Sequence, residues 1–173
     1  MTTRMSRIAA GVAAAGILGT LALSHMTVHA ATATANLGVS ASVNARCSIS
    51  APSTLAFGVY DPVVDHVSAD LDADTSVTVA CTKNSPGVWV GLDLGANASG
   101  STRRMASGAE RLAYELYSDA GRTTVWGSVL ASGVSYTPTS KDPVNISVYG
   151  RVPAGQDVGV GSYSDSVTAT INF

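Results

Sequence analysis

His66 is the side chain in this 173-residue sequence with the clearest potential for acid–base chemistry. The other two histidines fall in an N-terminal segment that we expect to be removed on export. A serine–histidine–acid site would need a nucleophile in a strained turn, but the sequence has no Gly-x-Ser-x-Gly motif. We therefore interpret His66 as a solvated loop residue, and the sequence predicts that the chain is not an enzyme.

Three alternating carboxylates, Asp70, Asp72 and Asp74, resemble the start of a calcium-binding loop. However, Thr75 stands where the turn of such a loop needs glycine, and Cys81 stands where the loop needs glutamate. We interpret the run as the outer face of a strand. One histidine and two cysteines do not suffice for a zinc site, so we expect neither a metal nor a cofactor.

The only two cysteines of the chain, Cys47 and Cys81, predict a disulfide. An even cysteine count in an exported protein is typical of a disulfide framework, whereas two buried free thiols are the alternative. Cys47 shares its strand face with Ile49, and Cys81 shares its face with Val79, so both sulfurs should point inward. The loop-entropy relation gives about 3–4 kcal/mol of stabilisation for closing a loop of this size.

The N-terminus has the pattern of a secretory signal peptide over residues 1–30. Arg4 and Arg7 precede an apolar run, and small residues follow up to Ala30, where we place the cleavage. The apolar run has about 16 residues, which is shorter than the roughly 20 of a spanning helix. Acidic residues outnumber basic ones in the remainder, which predicts no nucleic-acid partner and no membrane insertion.

The elements that position these residues are strands. Apolar and polar residues alternate in short runs separated by turn residues, with almost no helical periodicity. One such run resumes over residues 55–59 after Pro52, whereas residues 95–108 are small, polar and glycine-rich and predict a loop with a short edge strand around Arg103. The pattern predicts one all-β domain, an antiparallel sandwich or barrel. The last run alternates at Val167, Ala169, Ile171 and Phe173, and no turn or partner strand follows it.

Four stretches in this order carry a family resemblance: LAFGVYDP (55–62), VACT (79–82), LAYELYSDAGRTTVWG (112–127) and VYGRVPAGQDVGVGSYSDSVTATINF (148–173). They resemble the spore coat protein U domain family, which also provides subunits of archaic (Csu-like) chaperone–usher pili. The resemblance implies an incomplete immunoglobulin-like antiparallel β-sandwich that lacks its last strand. In that family a periplasmic chaperone lends a strand, and the N-terminal segment of a neighbouring subunit then replaces it.

The resemblance assigns roles to both ends of the chain. Residues 31–46 are too long for a first strand alone, since they would span roughly 50 Å when extended. We divide the chain into a donor segment at 31–41 and a sandwich domain at 42–173. The first strand of the domain covers about residues 42–50. A disordered tail is the alternative to the donor segment. The side chains expected to enter a neighbour's groove are small: Ala33, Ala35, Leu37, Val39 and Ala41.

The expected groove edge is the C-terminal strand with Val167, Ala169, Ile171 and Phe173. The implied partners are a periplasmic chaperone, an outer-membrane usher and neighbouring copies of this or a related subunit. The implied function is a structural pilus subunit, in adhesion and biofilm formation, that passes through the periplasm to the cell surface. A surface or spore-coat protein outside any pilus is the alternative, and a gene neighbourhood with chaperone and usher genes would distinguish the two.

Overall fold

The structure, a computed structural model, describes residues 30–52 and 54–173. The predicted signal peptide therefore lies outside the described residues, except for Ala30. The chain divides into two units between Ser40 and Ala41, and the second unit contains every strand named below. Within the described residues, no helix is long and apolar enough to span a membrane.

In the described residues, eight antiparallel strands form two sheets and confirm the predicted all-β fold. The large sheet has the order β1-β2-β7-β5-β4 and the small sheet the order β6-β3-β8. No helix occurs in the part of the chain that the structure describes. The strands are β1 (Cys47–Ser50), β2 (Leu71–Cys81), β3 (Trp89–Leu92), β4 (Arg103–Ser107), β5 (Glu110–Tyr117), β6 (Val134–Ser135), β7 (Val144–Val152) and β8 (Ala169–Asn172).

Alternation along the strands builds the core between the two sheets. Val77 and Val79 of β2 point inward and pack with Val90 of β3, while the intervening residues of β2 face outward. Trp126 is completely buried, and its Nε1–H donates to the carbonyl oxygen of Val90 at 2.9 Å. A buried indole N–H needs such a partner, and this one joins the loop before β6 to β3.

The acidic run of β2 lies on the outer face of the large sheet, as its alternation predicts. The Arg151 guanidinium bonds both carboxylate oxygens of Asp72, at 2.8 and 2.9 Å, which holds the pKa of Asp72 below its usual value. Arg122 bonds Asp74 at 2.5 Å and lies 5.7 Å from the ring centre of Tyr149. These carboxylates are therefore paired with arginines.

Two expected strands differ in the structure. The first strand begins at Cys47 rather than near Ser42, and residues 42–46 are exposed. The Arg46 carbonyl accepts the Thr82 N–H at 2.8 Å, and the Arg46 N–H donates to the Thr82 hydroxyl at 3.1 Å. Residues 55–59 form no strand: Leu55 and Phe57 alternate inward, but their backbone lies beside no partner strand among the described residues. The alternation of apolar residues in this stretch therefore reflects burial of their side chains and not pairing in a sheet.

Candidate functional site

The segment 163–172, which includes β8, has two different sides. On its closed side it bonds to β4 and to the chain around β3. Ser164 and Ala106 exchange backbone hydrogen bonds of 2.8 and 3.1 Å. The carbonyl oxygens of Ser166 and Thr168 each accept a backbone N–H at 3.0 Å, from Ala96 and Asp93 respectively. This side of the segment is therefore held by backbone hydrogen bonds at every second residue from Ser164 to Thr168.

A buried arginine reinforces the closed side. Arg103 of β4 is completely buried and forms an ion pair with Glu115 of β5. Its guanidinium also donates to the carbonyl oxygens of Leu92 at 3.1 Å, Asp93 at 2.7 Å and Trp126 at 2.7 Å. A buried charge is tolerated only when its donors are satisfied. Arg103 thereby holds β4 against the end of β3.

The side chain of Asp165 fixes the segment through hydrogen bonds to other parts of the same domain. Its Oδ2 accepts the hydroxyl of Tyr114 at 2.7 Å, and its Oδ1 accepts the backbone and side-chain N–H groups of Asn97, both at 3.0 Å. Burial, together with the neighbouring Asp165 carboxylate, raises the pKa of Tyr114, so its hydroxyl remains a donor. Gly95 has φ +82°, and a Cβ there would collide with the Asp165 carboxylate.

The open side of the segment borders a groove of about 350 Å³. Its floor is the inner face of the large sheet, including Thr75, Val77, Leu116 and Val148. Residues 163–167 and Ala169 form one rim. The opposite rim comes from residues early in the domain, and we call it the first rim for that reason. It consists of Ala51, Pro52, Thr54, Leu55 and Phe57.

The first rim is held by side chains. A Cβ on Gly150 of β7 would come within 2.7 Å of Leu55 Cδ2 and 2.8 Å of Phe57 Cζ, so the glycine provides the space that both side chains occupy. The Phe57 and Tyr114 rings lie 6.1 Å apart, centre to centre. No backbone hydrogen bond of residues 51–59 is found within the described part of the chain. The rim can therefore shift without breaking a ladder of backbone bonds.

The groove also borders a row of backbone polar groups. Along a strand, the N–H and C=O of successive residues point to opposite edges. Because Ser164, Ser166 and Thr168 bond on the closed side, the backbone groups of Asp165, Val167 and Ala169 point to the open side. In the described residues β8 pairs with β3 alone. An apolar floor beside a free strand edge can accept one additional strand.

The predicted disulfide is present, joining Cys47 and Cys81, which lie directly opposite each other in the register of β1 and β2. Of the residues expected along the groove edge, Val167 and Ala169 line the groove. Ile171 packs against the core opposite Val90 instead, and Phe173 is 56% exposed and outside the lining.

The residues expected to form the donor segment are all exposed. Residues 30–46 contain no regular secondary structure. Leu37 is 88% exposed and Val39 is 87% exposed, and Ala33, Ala35 and Ala41 are exposed as well. Large apolar side chains with this exposure are free to contact another molecule.

His66 lies in a loop, as predicted, but it is half-buried rather than fully solvated. Its Nδ1 lies 2.9 Å from the carbonyl oxygen of Ala69, and its ring stacks on Tyr60 with the centres 5.0 Å apart. The sequence reasoning did not identify Arg103, Tyr114 or Asp165 as important. For Tyr114 a signal was available, since its alternation with Leu112 and Leu116 places a hydroxyl inside the core, where it needs a partner.

Three comparisons with known proteins show which family and which fold this chain resembles. Residues 33–170 match the Spore Coat Protein U domain family. Protein U of Myxococcus xanthus is 40% identical over 184 aligned positions, which cover 98% of this chain and all of that protein.

The fold is similar to that of a chain in the crystal structure of the CsuC–CsuE chaperone–tip adhesion subunit pre-assembly complex, from archaic chaperone–usher Csu pili of Acinetobacter baumannii. The TM-score is 0.55 at 22% identity, and the match covers 76% of this chain but only 40% of the solved one. The structural likeness concerns the fold, whereas the family match extends over most of the sequence: the chain belongs to the Spore Coat Protein U domain family.

Proposed function

We propose that this chain is a structural subunit of a surface pilus, assembled through a chaperone–usher pathway and polymerised by donor-strand exchange. The observation that carries the proposal is the groove beside the free edge of the 163–172 segment. A free strand edge next to an apolar surface favours aggregation unless another strand covers it. A strand from another molecule would pair with the backbone groups of Val167 and Ala169 and cover the floor of the groove.

Residues 31–41 have the dimensions of the missing strand. Eleven extended residues span about 36 Å, and the nine residues from Asp165 to Phe173 span about 30 Å. Their alternate side chains are alanine, leucine and valine. Mostly small side chains suit a groove of about 350 Å³ whose first rim already inserts Leu55 and Phe57.

The proposal divides the chain into a signal peptide at 1–30, a donor segment at 31–41 and a sandwich domain at 42–173. A periplasmic chaperone covers the groove during export, an outer-membrane usher directs assembly, and a neighbouring copy or related subunit then donates residues 31–41. Adhesion and biofilm formation would follow from a surface filament. The solved neighbour supports a chaperone as partner, since it is a chaperone–subunit complex.

A structural protein of a spore coat or surface layer is the second candidate. The family description and the 40% identity to Protein U favour it. The same groove would then link copies within a layer. Electron microscopy of the cell surface distinguishes the two, because a pilus subunit gives filaments whereas a coat protein gives a continuous layer.

A synthetic peptide of residues 31–41 tests the donor segment. The peptide should bind chaperone-free subunit and stop polymerisation. A Leu37→Asp peptide should fail, because it places an unpaired charge in an apolar groove. An Asn36→Asp peptide is the matched control: it adds the same charge on the alternate side chain, which faces away from the floor, and it should still bind.

Deletion of residues 31–40 tests the same point in the whole protein. The shortened subunit should fold and bind the chaperone, because those residues lie outside the unit that holds the strands. It should accept a donor strand but provide none. Filaments of normal length from the shortened subunit would contradict the proposal.

A further inference from the structure

Positive charge gathers at one end of the sandwich, which we call the basic end. Lys83 and Lys141 are the only lysines of the chain, and with Arg46 they line an open cleft beside Cys81, where β2 ends. Arg46 and Lys83 form no ion pair within the described residues, and Lys141 pairs only with its neighbour Asp142, at 3.6 Å. Asp142 also lines the cleft, so the cleft carries three positive charges and one negative charge.

The opposite end, which we call the acidic end, lies where β2 begins. Its loops, residues 61–70 and 153–157, are joined by a backbone bond of 2.8 Å from Gly155 to His66 and a bond of 3.0 Å from the Ala154 N–H to Asp70. Its carboxylates include Asp61, Asp65 and Asp157, whereas Asp70 is paired with Arg151 at 3.2 Å. The eleven residues of β2 separate the two ends by about 35 Å.

The acidic end is a fixed surface. The Asp61 carboxylate accepts the N–H groups of Val63 at 2.8 Å and Val64 at 3.0 Å, and the Asp61 carbonyl accepts the N–H of His66 at 2.8 Å. The first two bonds hold the pKa of Asp61 below its ordinary value, so the carboxylate stays ionised. The turn presents Val63 and Val64, 78% and 72% exposed, between Asp61 and Asp65. An apolar patch flanked by charge is typical of a protein interface.

Strand directions determine which ends could meet. β3 begins at Trp89, just after the turn at the basic end, and β8 is antiparallel to β3, so β8 runs from the acidic end toward the basic end. Every strand pair in the described residues is antiparallel. A donor strand that continued this pattern would run the other way and leave the groove at the acidic end.

The chain that follows a donor segment enters its own sandwich at the basic end. There the Arg46 N–H donates to the Thr82 hydroxyl at 3.1 Å, one residue before Cys47 begins β1. An antiparallel donor therefore places the basic end of the donating copy beside the acidic end of the accepting copy. A parallel donor would bring two basic ends together.

We propose that the basic end of one copy docks against the acidic end of the next copy. The partner is a second copy of this chain, because the two ends of one molecule have complementary charge and strand direction brings them together. This inference rests on the proposed donor-strand function. Complementary charges mainly accelerate association and fix orientation, and they add less to final affinity.

Charge reversal at each end tests the contact in the secreted full-length subunit. One variant carries Lys83→Glu with Lys141→Glu, and a second carries Asp65→Lys with Asp157→Lys. Apart from the exposed pair of Lys141 with Asp142, these four side chains take part in no hydrogen bond or ion pair of the described residues, so folding should be unaffected. Ser147→Glu, in the middle of the outer face of β7, is the matched control.

Light scattering gives the rate of association. Each two-residue reversal should slow association about tenfold at low salt, and the control should leave the rate unchanged. The decisive result is that the effect of one pair of substitutions on the association rate reverses in the presence of the other pair. Asp65→Lys with Asp157→Lys should slow association of the wild-type chain, but it should accelerate association of the chain that carries Lys83→Glu with Lys141→Glu. Raising salt from about 0.01 to about 1 M should slow the wild-type chain, since the screening length falls from ~30 to ~3 Å.

Binding of the residue 31–41 peptide separates this inference from the proposed function. Equal peptide binding by all variants, with altered association rates, supports the end-to-end contact. Equal peptide binding with unaltered rates overturns the contact and leaves donor-strand exchange standing. Failure of the peptide to bind wild-type subunit overturns the proposed function, and the end-to-end contact then fails with it.

Discussion

The two sides of the 163–172 segment differ in how their backbone groups and side chains are covered. On the closed side, backbone bonds from Ser164, Ser166 and Thr168 reach β4 and the chain at β3, and the buried Arg103 adds three carbonyl contacts. On the open side, backbone groups and apolar side chains face a groove. The same segment thus has one edge that is hydrogen-bonded within the subunit and one edge that is open to a further strand.

The comparison shows how a domain can remain folded with part of its core accessible. The polar contacts that need fixed geometry are made within the subunit, by Arg103 on the closed side and by the Asp165 side chain with Tyr114 and Asn97. The open side depends on apolar contact, which is non-directional and tolerates a change of occupant. Substitutions on the closed side should therefore affect folding, and those on the open side should affect binding.

Replacing Arg103 with methionine should have the largest effect. The change leaves the Glu115 carboxylate and three buried carbonyl oxygens without their donor, so the free energy of unfolding should fall by about 3–5 kcal/mol. Urea unfolding followed by circular dichroism measures it. Arg104→Met is the control, since Arg104 is partly exposed and its side chain donates, within the described residues, only to the Asn97 carbonyl, at 3.1 Å. Equal losses would refute the distinction.

Removing the disulfide should have the next largest effect. The double change of Cys47 and Cys81 to serine should lower the free energy of unfolding by about 2–4 kcal/mol, because the unfolded chain gains freedom. Thermal unfolding compares the variant with wild-type protein under reduction. The variant and the reduced wild type should unfold at the same temperature. A reduced wild type as stable as the oxidised form would count against a stabilising disulfide.

Tyr114→Phe should weaken the anchor of the segment. The variant removes the hydroxyl that donates to Asp165 and leaves a partly buried carboxylate oxygen unpaired, which should cost about 1–3 kcal/mol. Tyr163→Phe loses an exposed bond to the Gly159 carbonyl and should cost well under that amount. Urea unfolding of both variants measures the difference, and the prediction fails if Tyr163→Phe is the more damaging.

Thr75→Val should have the smallest effect on folding and should act on the open side. Thr75 lies on the floor of the groove and takes part in no side-chain hydrogen bond of the described residues. Stability should change by less than about 0.5 kcal/mol, whereas the residue 31–41 peptide should bind about two- to fivefold more tightly, because a methyl group replaces a hydroxyl against apolar side chains. Calorimetry measures the affinity, and weaker binding would contradict a strand lying on this floor.

The sequence was sufficient for features that depend on local alternation. The inward residues of β2 and β5, and the shared faces of Cys47 and Cys81, follow from a period of two that each strand carries by itself. The edge strand around Arg103 was also predicted and is β4. Such features need no knowledge of which strands are neighbours.

Features that depend on distant backbone atoms were not predictable in this way. Arg103 follows a glycine-rich loop, and its burial depends on carbonyl oxygens of Leu92, Asp93 and Trp126, which residue types do not reveal. The run at Leu55 and Phe57 alternates like a strand, yet it is held by its side chains over Gly150. Alternation therefore could not distinguish a paired strand from the first rim.

The position of the disulfide determines how the domain would carry mechanical load. A tension applied through residues 30–46 enters the sandwich at Cys47, the first residue of the short edge strand β1. Four residues of backbone pairing could be peeled away one bond at a time. The covalent link instead passes the force directly to Cys81 and so to β2, whose eleven residues pair along β7 and must yield together in shear. Single-molecule pulling from the N-terminus should therefore show a lower rupture force under reduction.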